Sequence, residues 1–102
     1  MEILVQTINI KNREQVLPYI NKTLTNKFNH YPFLKIIDVK VSAGKFGEHN
    51  ISLQTKPEKG KRLFVEASDR NINKALKECS QKLQAMIERY KEVHYHSAKK
   101  TT

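Results

Sequence analysis

At 100° per residue, with Ile72 as origin, Lys82 and Arg89 fall at about 280° and 260° on one flank of a helix, about two turns apart. Lys91 lies on the opposite flank, and Arg70, Lys74 and Lys77 occupy the outward face near the helix start. A helical turn of ~5.4 Å roughly matches the phosphate spacing of a nucleic-acid strand, so such a row suits a phosphate backbone. A second cluster is Lys56-Pro57-Glu58-Lys59-Gly60-Lys61-Arg62, with four bases and one acid. Lys22 and Lys27 add positive charge on an earlier helix, and Lys99 and Lys100 add it near the end. The plain alternative is a solvated helix face laced by pairs such as Glu78–Lys82 at i, i+4. Over the whole chain, 19 Lys and Arg stand against 10 Asp and Glu, a formal charge of +9 in 102 residues. That excess favours a polyanion: RNA, DNA or an anionic membrane face.

Other chemistry has little to work with. Cys79 is the only cysteine; it falls in an apolar helical stripe, where a thiol has a raised pKa and low reactivity. One cysteine excludes a disulfide scaffold and a cysteine-based zinc site, and fits a reducing compartment. His94 and His96 form an H-x-H pair; on a helix they point ~200° apart and cannot clamp one metal, and extended they could, but no carboxylate or cysteine stands beside them. His30 and His49 are isolated. The acids, among them Glu14, Asp38, Glu66 and Glu78, are scattered over expected solvent faces, whereas acid–base catalysis needs two groups in one pocket with different environments. No P-loop, nucleophile elbow or glycine-rich fingerprint occurs. The expectation is a protein that is not an enzyme and takes no cofactor and no metal. Tyr31, Phe46, Phe64 and Tyr95 are the aromatics available to stack on bases.

The elements that must carry these bases follow from hydropathy. Residues 2–10 are rich in β-branched side chains and read as a strand, with Ile3 and Val5 on one face and Leu4 and Gln6 on the other. Asn12, with Gln15 three residues on, has the form of a capping box. Val16, Ile20, Leu24 and Phe28 then recur at i, i+4, an amphipathic helix of about four turns. Pro18 lacks the N–H that would reach residue 14, so the expectation is a start near Val16 or a kinked first turn. Pro32 ends that helix. Residues 35–42, 50–55 and 62–67 alternate apolar and polar, three further strands joined by hairpins. Ser68, Asp69 and Asn71 offer caps to a final helix whose Ile72, Ala75, Leu76, Cys79, Leu83, Met86, Ile87 and Tyr90 keep a 3.6 period.

The order β-α-β-β-β-α describes an α+β two-layer sandwich, a four-stranded sheet with two helices on one face and the other face open. One domain over residues 1–92 and a flexible basic tail over 93–102 are expected. No apolar run of ~18 residues occurs, so no membrane span is expected. The acidic, interrupted start Met1-Glu2-Ile3-Leu4-Val5-Gln6 does not read as a signal peptide. The expectation is a cytoplasmic protein, monomeric when free.

The last helix carries a recognisable pattern: a small residue at Ala67, then Ala75-Leu76, Lys82-Leu83 and the basic ending Arg89-Tyr90-Lys91. With Tyr19-Ile20, Leu24, Lys27-Phe28 and Tyr31 on the first helix, residues 1–92 resemble the ribosome hibernation-promoting factor family, also called ribosome-associated inhibitor A or sigma-54 modulation protein. The resemblance implies a dsRNA-binding-domain-like fold that binds the 16S rRNA of the small ribosomal subunit, alone or in the 70S ribosome. It implies occlusion of the A and P sites and the mRNA path, inhibiting translation in stationary phase or stress. Carried over by position, Lys82, Arg89, Lys91, Lys22 and Lys27 match basic positions of the family. Arg70, Lys74, Lys77, Lys56, Lys59, Lys61 and Arg62 are RNA-binding candidates from charge geometry alone. This chain departs from the pattern at Ala85, where the family commonly has Arg, at Glu88, where it often has a base, and at Pro18. At 102 residues it reads as a short form, expected to be without the further domain through which long members dimerise ribosomes. Two other readings stand beside this one: a free dsRNA-binding protein, suggested by the β-β-β-α portion, and a protein-interaction module using the open sheet face. Free DNA is not an expected partner. An RNA-recognition motif is excluded by element order, because that fold runs β-α-β-β-α-β with paired aromatics on its central strands.

Overall fold

In the computed structural model, which describes residues 1–95, the alternating segments become β1 (Glu2–Ile8), β2 (Ile36–Ala43), β3 (His49–Thr55) and β4 (Leu63–Asp69). The two 3.6-period segments become α1 (Arg13–Phe28) and α2 (Ile72–Tyr95). The sheet order is β1-β2-β3-β4. β1 runs parallel to β2, with Val5 opposite Val39, and α1 supplies the crossover that parallel neighbours require. β2–β3 and β3–β4 are antiparallel, with Val39 opposite Leu53 and Leu53 opposite Val65.

Because side chains alternate across a strand, this register collects Ile37, Val39, Val41, Ile51, Leu53, Val65 and Ala67 on one face, all buried. Val16, Ile20, Leu24 and Phe28 of α1 pack there with Ala75, Leu76, Cys79, Leu83, Ile87 and Tyr90 of α2. Each Val, Leu, Ile or Phe side chain among them contributes roughly 1.5–3 kcal/mol on burial. The opposite face is solvated, with Leu4, Asp38, Gln54 and Phe64 in one cross-strand row and Gln6, Lys40, Ser52 and Glu66 in the next. The result is the expected two-layer α+β sandwich.

Several local expectations are corrected. β1 ends at Ile8, because Asn9 turns the chain with φ +58 and Ile10 dips back toward the core. α1 starts at Arg13 with Pro18 inside it, which removes the expected start near Val16 and leaves the alternative of a kinked first turn. Asn12 forms no side-chain cap; its carbonyl accepts from the N–H groups of Gln15 (3.0 Å) and Val16 (3.1 Å) instead. Met86 keeps the period of the core stripe but is 37% exposed, because it lies at the stripe's β4 edge. α2 continues to Tyr95, past the expected boundary at residue 92. Tyr95 stacks on Phe33 (centroids 5.5 Å apart), and His94 lies on the Tyr90 ring at 4.4 Å. These contacts give the last turn the tertiary support that its polar sequence lacks. The remaining tail, with His96, Lys99 and Lys100, lies outside the described residues.

Candidate nucleic-acid interface

The buried stripe of α2 fixes the rotation of the helix, and with it the direction of every base upon it. Lys82 leaves the flank nearest β4. Its ammonium donates to the free Glu66 carbonyl of that edge strand at 3.0 Å and pairs with Glu78 at 3.4 Å. An unpaired edge carbonyl is thus covered by a charged side chain. Two turns on, Arg89 stands on the same side, over a notch that also includes Lys61 of the 56–62 loop and Leu63 from the start of β4. Lys91 emerges on the α1 side, 3.6 Å from Glu88 and 5.6 Å from the centre of the Tyr31 ring. The Tyr31 hydroxyl donates to Glu88 at 2.6 Å, tying the chain after α1 to α2. Burial, and then this hydrogen bond, push the Tyr31 phenol above its ordinary value of 10.0.

The 56–62 loop is held against the far end of α2. The Lys59 N–H donates to the Tyr90 hydroxyl at 2.9 Å, and the Lys59 ammonium lies 4.9 Å from the Tyr95 ring centre. Pro57 is buried beneath the loop. Gly60 has φ +81, and a Cβ there would stand 3.1 Å from Nε2 of His94, so a side chain at 60 would disturb the seat of the loop. Lys56 and Arg62 turn to the other side and share a shallow depression with Lys35, Leu4 and Asp38. The loop therefore presents bases in two directions, Lys61 toward Arg89 and Arg62 toward the sheet edge.

At the start of α2, the Asn71 side chain accepts from the N–H groups of Asn73 (2.8 Å) and Lys74 (3.3 Å), and Asp69 accepts from the Asn71 N–H (2.8 Å). Asn71, among the three caps offered by the sequence, is the one that caps the helix. Lys74 and Lys77 are exposed on the outer face beyond this cap. The Arg70 carbonyl is 2.9 Å from Nδ1 of His49, which joins the β2–β3 hairpin to this corner. On α1, Lys22 is exposed and Lys27 is half-buried in the last turn. Among the described residues, Arg89, Lys61, Arg62, Lys74 and Lys77 form no ion pair, whereas Lys82 and Lys91 pair with acids of their own helix. Exposed pairs of that kind are worth only ~0–1 kcal/mol and are readily exchanged for a phosphate.

The aromatics divide. Tyr31 is 3% exposed and belongs to the core, and Tyr95 is committed to Phe33, so neither is free to stack on a base. Phe46, at 77%, and Phe64, at 49%, stand in solvent. Cys79 is fully buried, its thiol 3.5 Å from the Ile51 carbonyl and 3.8 Å from that of Val65, and burial pushes its pKa up to about 11. Among the described residues, no group of three or more His, Cys, Asp or Glu side chains could hold a metal, and no helix is long and apolar enough to cross a membrane. The sequence pattern alone missed the notch at Leu63, Ala85, Met86 and Val93; its one signal was the place of Met86 at the margin of the apolar stripe.

Comparison with solved structures finds the same fold in two bacterial proteins. A ribosomal subunit interface protein from Coxiella burnetii superposes with a TM-score of 0.78 at 15% identity, covering 89% of this chain and 98% of that one. The N-terminal domain of Protein Y from Thermus thermophilus gives a TM-score of 0.69 at 17% identity, covering 87% and 94%. At these identities the likeness establishes the shared fold. No curated protein matched the chain in sequence. The family described as sigma 54 modulation protein / S30EA ribosomal protein does match, over residues 3–94, which takes in α1, β2, β3, β4, the 56–62 loop and all but one residue each of β1 and α2. By that match the chain belongs to the sigma 54 modulation protein / S30EA ribosomal protein family, whose members are ribosome-associated factors and not enzymes.

Proposed function

We propose that this protein binds the 16S rRNA of the small ribosomal subunit, free or within the 70S ribosome, and blocks the A and P sites and the mRNA path. It would thereby hold idle ribosomes inactive in stationary phase or stress. The observation that carries the reading is the coincidence of a family match over residues 3–94 with a set of bases left without acid partners among the described residues: Arg89, Lys61, Arg62, Lys74 and Lys77. One structural relative is a ribosomal subunit interface protein, which supports the same partner. Lys82, Lys91, Lys22 and Lys27 extend the basic surface along both helices, Arg70 and Lys56 along its margins, and Lys59 joins it at the loop. The mechanism is steric: phosphate contacts position the protein, and its bulk occupies space that tRNA and mRNA need. The protein acts in the cytosol, as a monomer before it binds, without cofactor.

Competition tests this. Excess tRNA and mRNA should displace the protein from 30S subunits, and translation in a purified system should fall as the protein is added. Charge reversal at Lys82→Glu with Arg89→Glu should abolish both effects. Undiminished binding by that double variant would instead favour a protein contact through the open sheet face, where Leu4, Ile8, Ile36 and Phe64 are exposed.

A further inference from the structure

The notch between β4 and the second half of α2 combines features that a row of phosphate contacts does not use. Its volume is about 370 Å³, at the small end of the ~300–1,000 Å³ of ligand sites. Leu63, Ala85, Met86 and Val93 give it an apolar lining, Tyr90 and His94 bring two ring systems to it, and Lys61 and Arg89 contribute cations. Met86 at 37% and Val93 at 66% exposure are apolar side chains that nothing in the described fold covers. Neither Lys61 nor Arg89 has an acid partner among the described residues.

The geometry points to a nucleotide pocket: we propose that the notch takes the base of one unpaired RNA nucleotide, with its flanking phosphates on Lys61 and Arg89. The inference rests on the rRNA reading above and deepens it, because it assigns a base-binding element to a surface otherwise built for backbone. The ligand class follows from charge and shape. An apolar slot between two unpaired cations suits a flat, apolar-faced group carrying negative charge at its edges, which is an unstacked nucleotide. Met86 offers a polarizable thioether to the face of a base, and the His94 ring, already seated on Tyr90, offers a π surface. Ala85 keeps the slot open, since its methyl group reaches little of the space a larger side chain would fill. A base held in a duplex cannot enter, so this site distinguishes bulged or looped RNA from perfect helix.

The test uses the full chain and two RNA hairpins, one fully paired and one with a single bulged 2-aminopurine. The wild-type protein should bind the bulged hairpin more tightly and change the fluorescence of the bulged base. Ala85→Leu, which fills the slot without altering charge at an exposed position, should weaken binding to the bulged hairpin on the order of 10-fold. It should leave the paired hairpin and the salt dependence unchanged. Met86→Ser should give the same pattern by removing the thioether. Lys61→Ala or Arg89→Ala should instead lower the log–log salt slope by about one on both hairpins. If salt-dependent binding survives but the bulge gives neither preference nor fluorescence change, the nucleotide pocket is overturned and the rRNA reading stands. If neither hairpin nor 30S subunits are bound, both fall.

Discussion

Cys79, Tyr31 and Tyr90 share one electrostatic circumstance: each is buried, and each has its neutral form favoured by the fold. Burial moves the Cys79 thiol from 9.0 to about 11 and raises both phenols above 10.0. A pKa raised in the folded state means that the unfolded chain ionises first. The stabilisation is therefore complete below about pH 9 and is lost as pH climbs toward 11. Urea midpoints measured between pH 8 and pH 11 should hold steady to about pH 9 and then fall; a midpoint that rises with pH would contradict this. The same burial predicts that a disulfide thiol reagent labels Cys79 only at the rate of global opening. Ser80 presents the opposite case, a buried hydroxyl with no hydrogen-bond partner among the described residues. Ser80→Ala should leave stability unchanged or raise it by about 1 kcal/mol in denaturant melts, because it removes an unsatisfied polar group. The apolar role of Cys79 was legible in the sequence from its place in the stripe. The burial of Ser80 was not, since a serine beside a helical stripe reads equally as its polar border.

At the scale of elements, periodicity carried most of the architecture. Alternation in β2, β3 and β4 and the 3.6 period in both helices placed the buried faces correctly, because those faces have no other place to go in a domain this small. What periodicity left out was decided by tertiary contact. α2 outlasts its own sequence pattern because Phe33 receives Tyr95. Phe33 and Leu34 are buried in a segment with no period at all, between the end of α1 and the start of β2. The seat of the 56–62 loop is equally a tertiary matter, made by Tyr90, Tyr95 and His94. Gly60→Ala should destabilise the protein by roughly 1–2 kcal/mol, from positive φ together with crowding against His94. Because the loop carries Lys59 and Lys61, the same variant should also weaken RNA binding while the total charge stays fixed. A variant that melts and binds as wild type does would show that the loop is not held as described.

Over the whole molecule, the basic residues were legible as a set and their arrangement only in part. The helical wheel separated Lys82 and Arg89 from Lys91, and the structure places them on the β4 and α1 sides of α2 respectively. Sequence spacing carried no information on the meeting of Lys61 with Arg89, since these lie on different elements joined only by the fold. It did show the i, i+4 pairing of Lys82 with Glu78, but not the contact of the same ammonium with the Glu66 carbonyl of β4. A surface assembled from a loop and two helices predicts binding dominated by counterion release, steep in salt and indifferent to sequence outside the notch. The most direct measurement is co-sedimentation of the purified protein with 30S subunits and 70S ribosomes at low and moderate salt. The account predicts saturable comigration with both particles at low salt, steeply reduced at moderate salt and lost in the Lys82→Glu, Arg89→Glu variant. Protein that stays at the top of the gradient at low salt would contradict it.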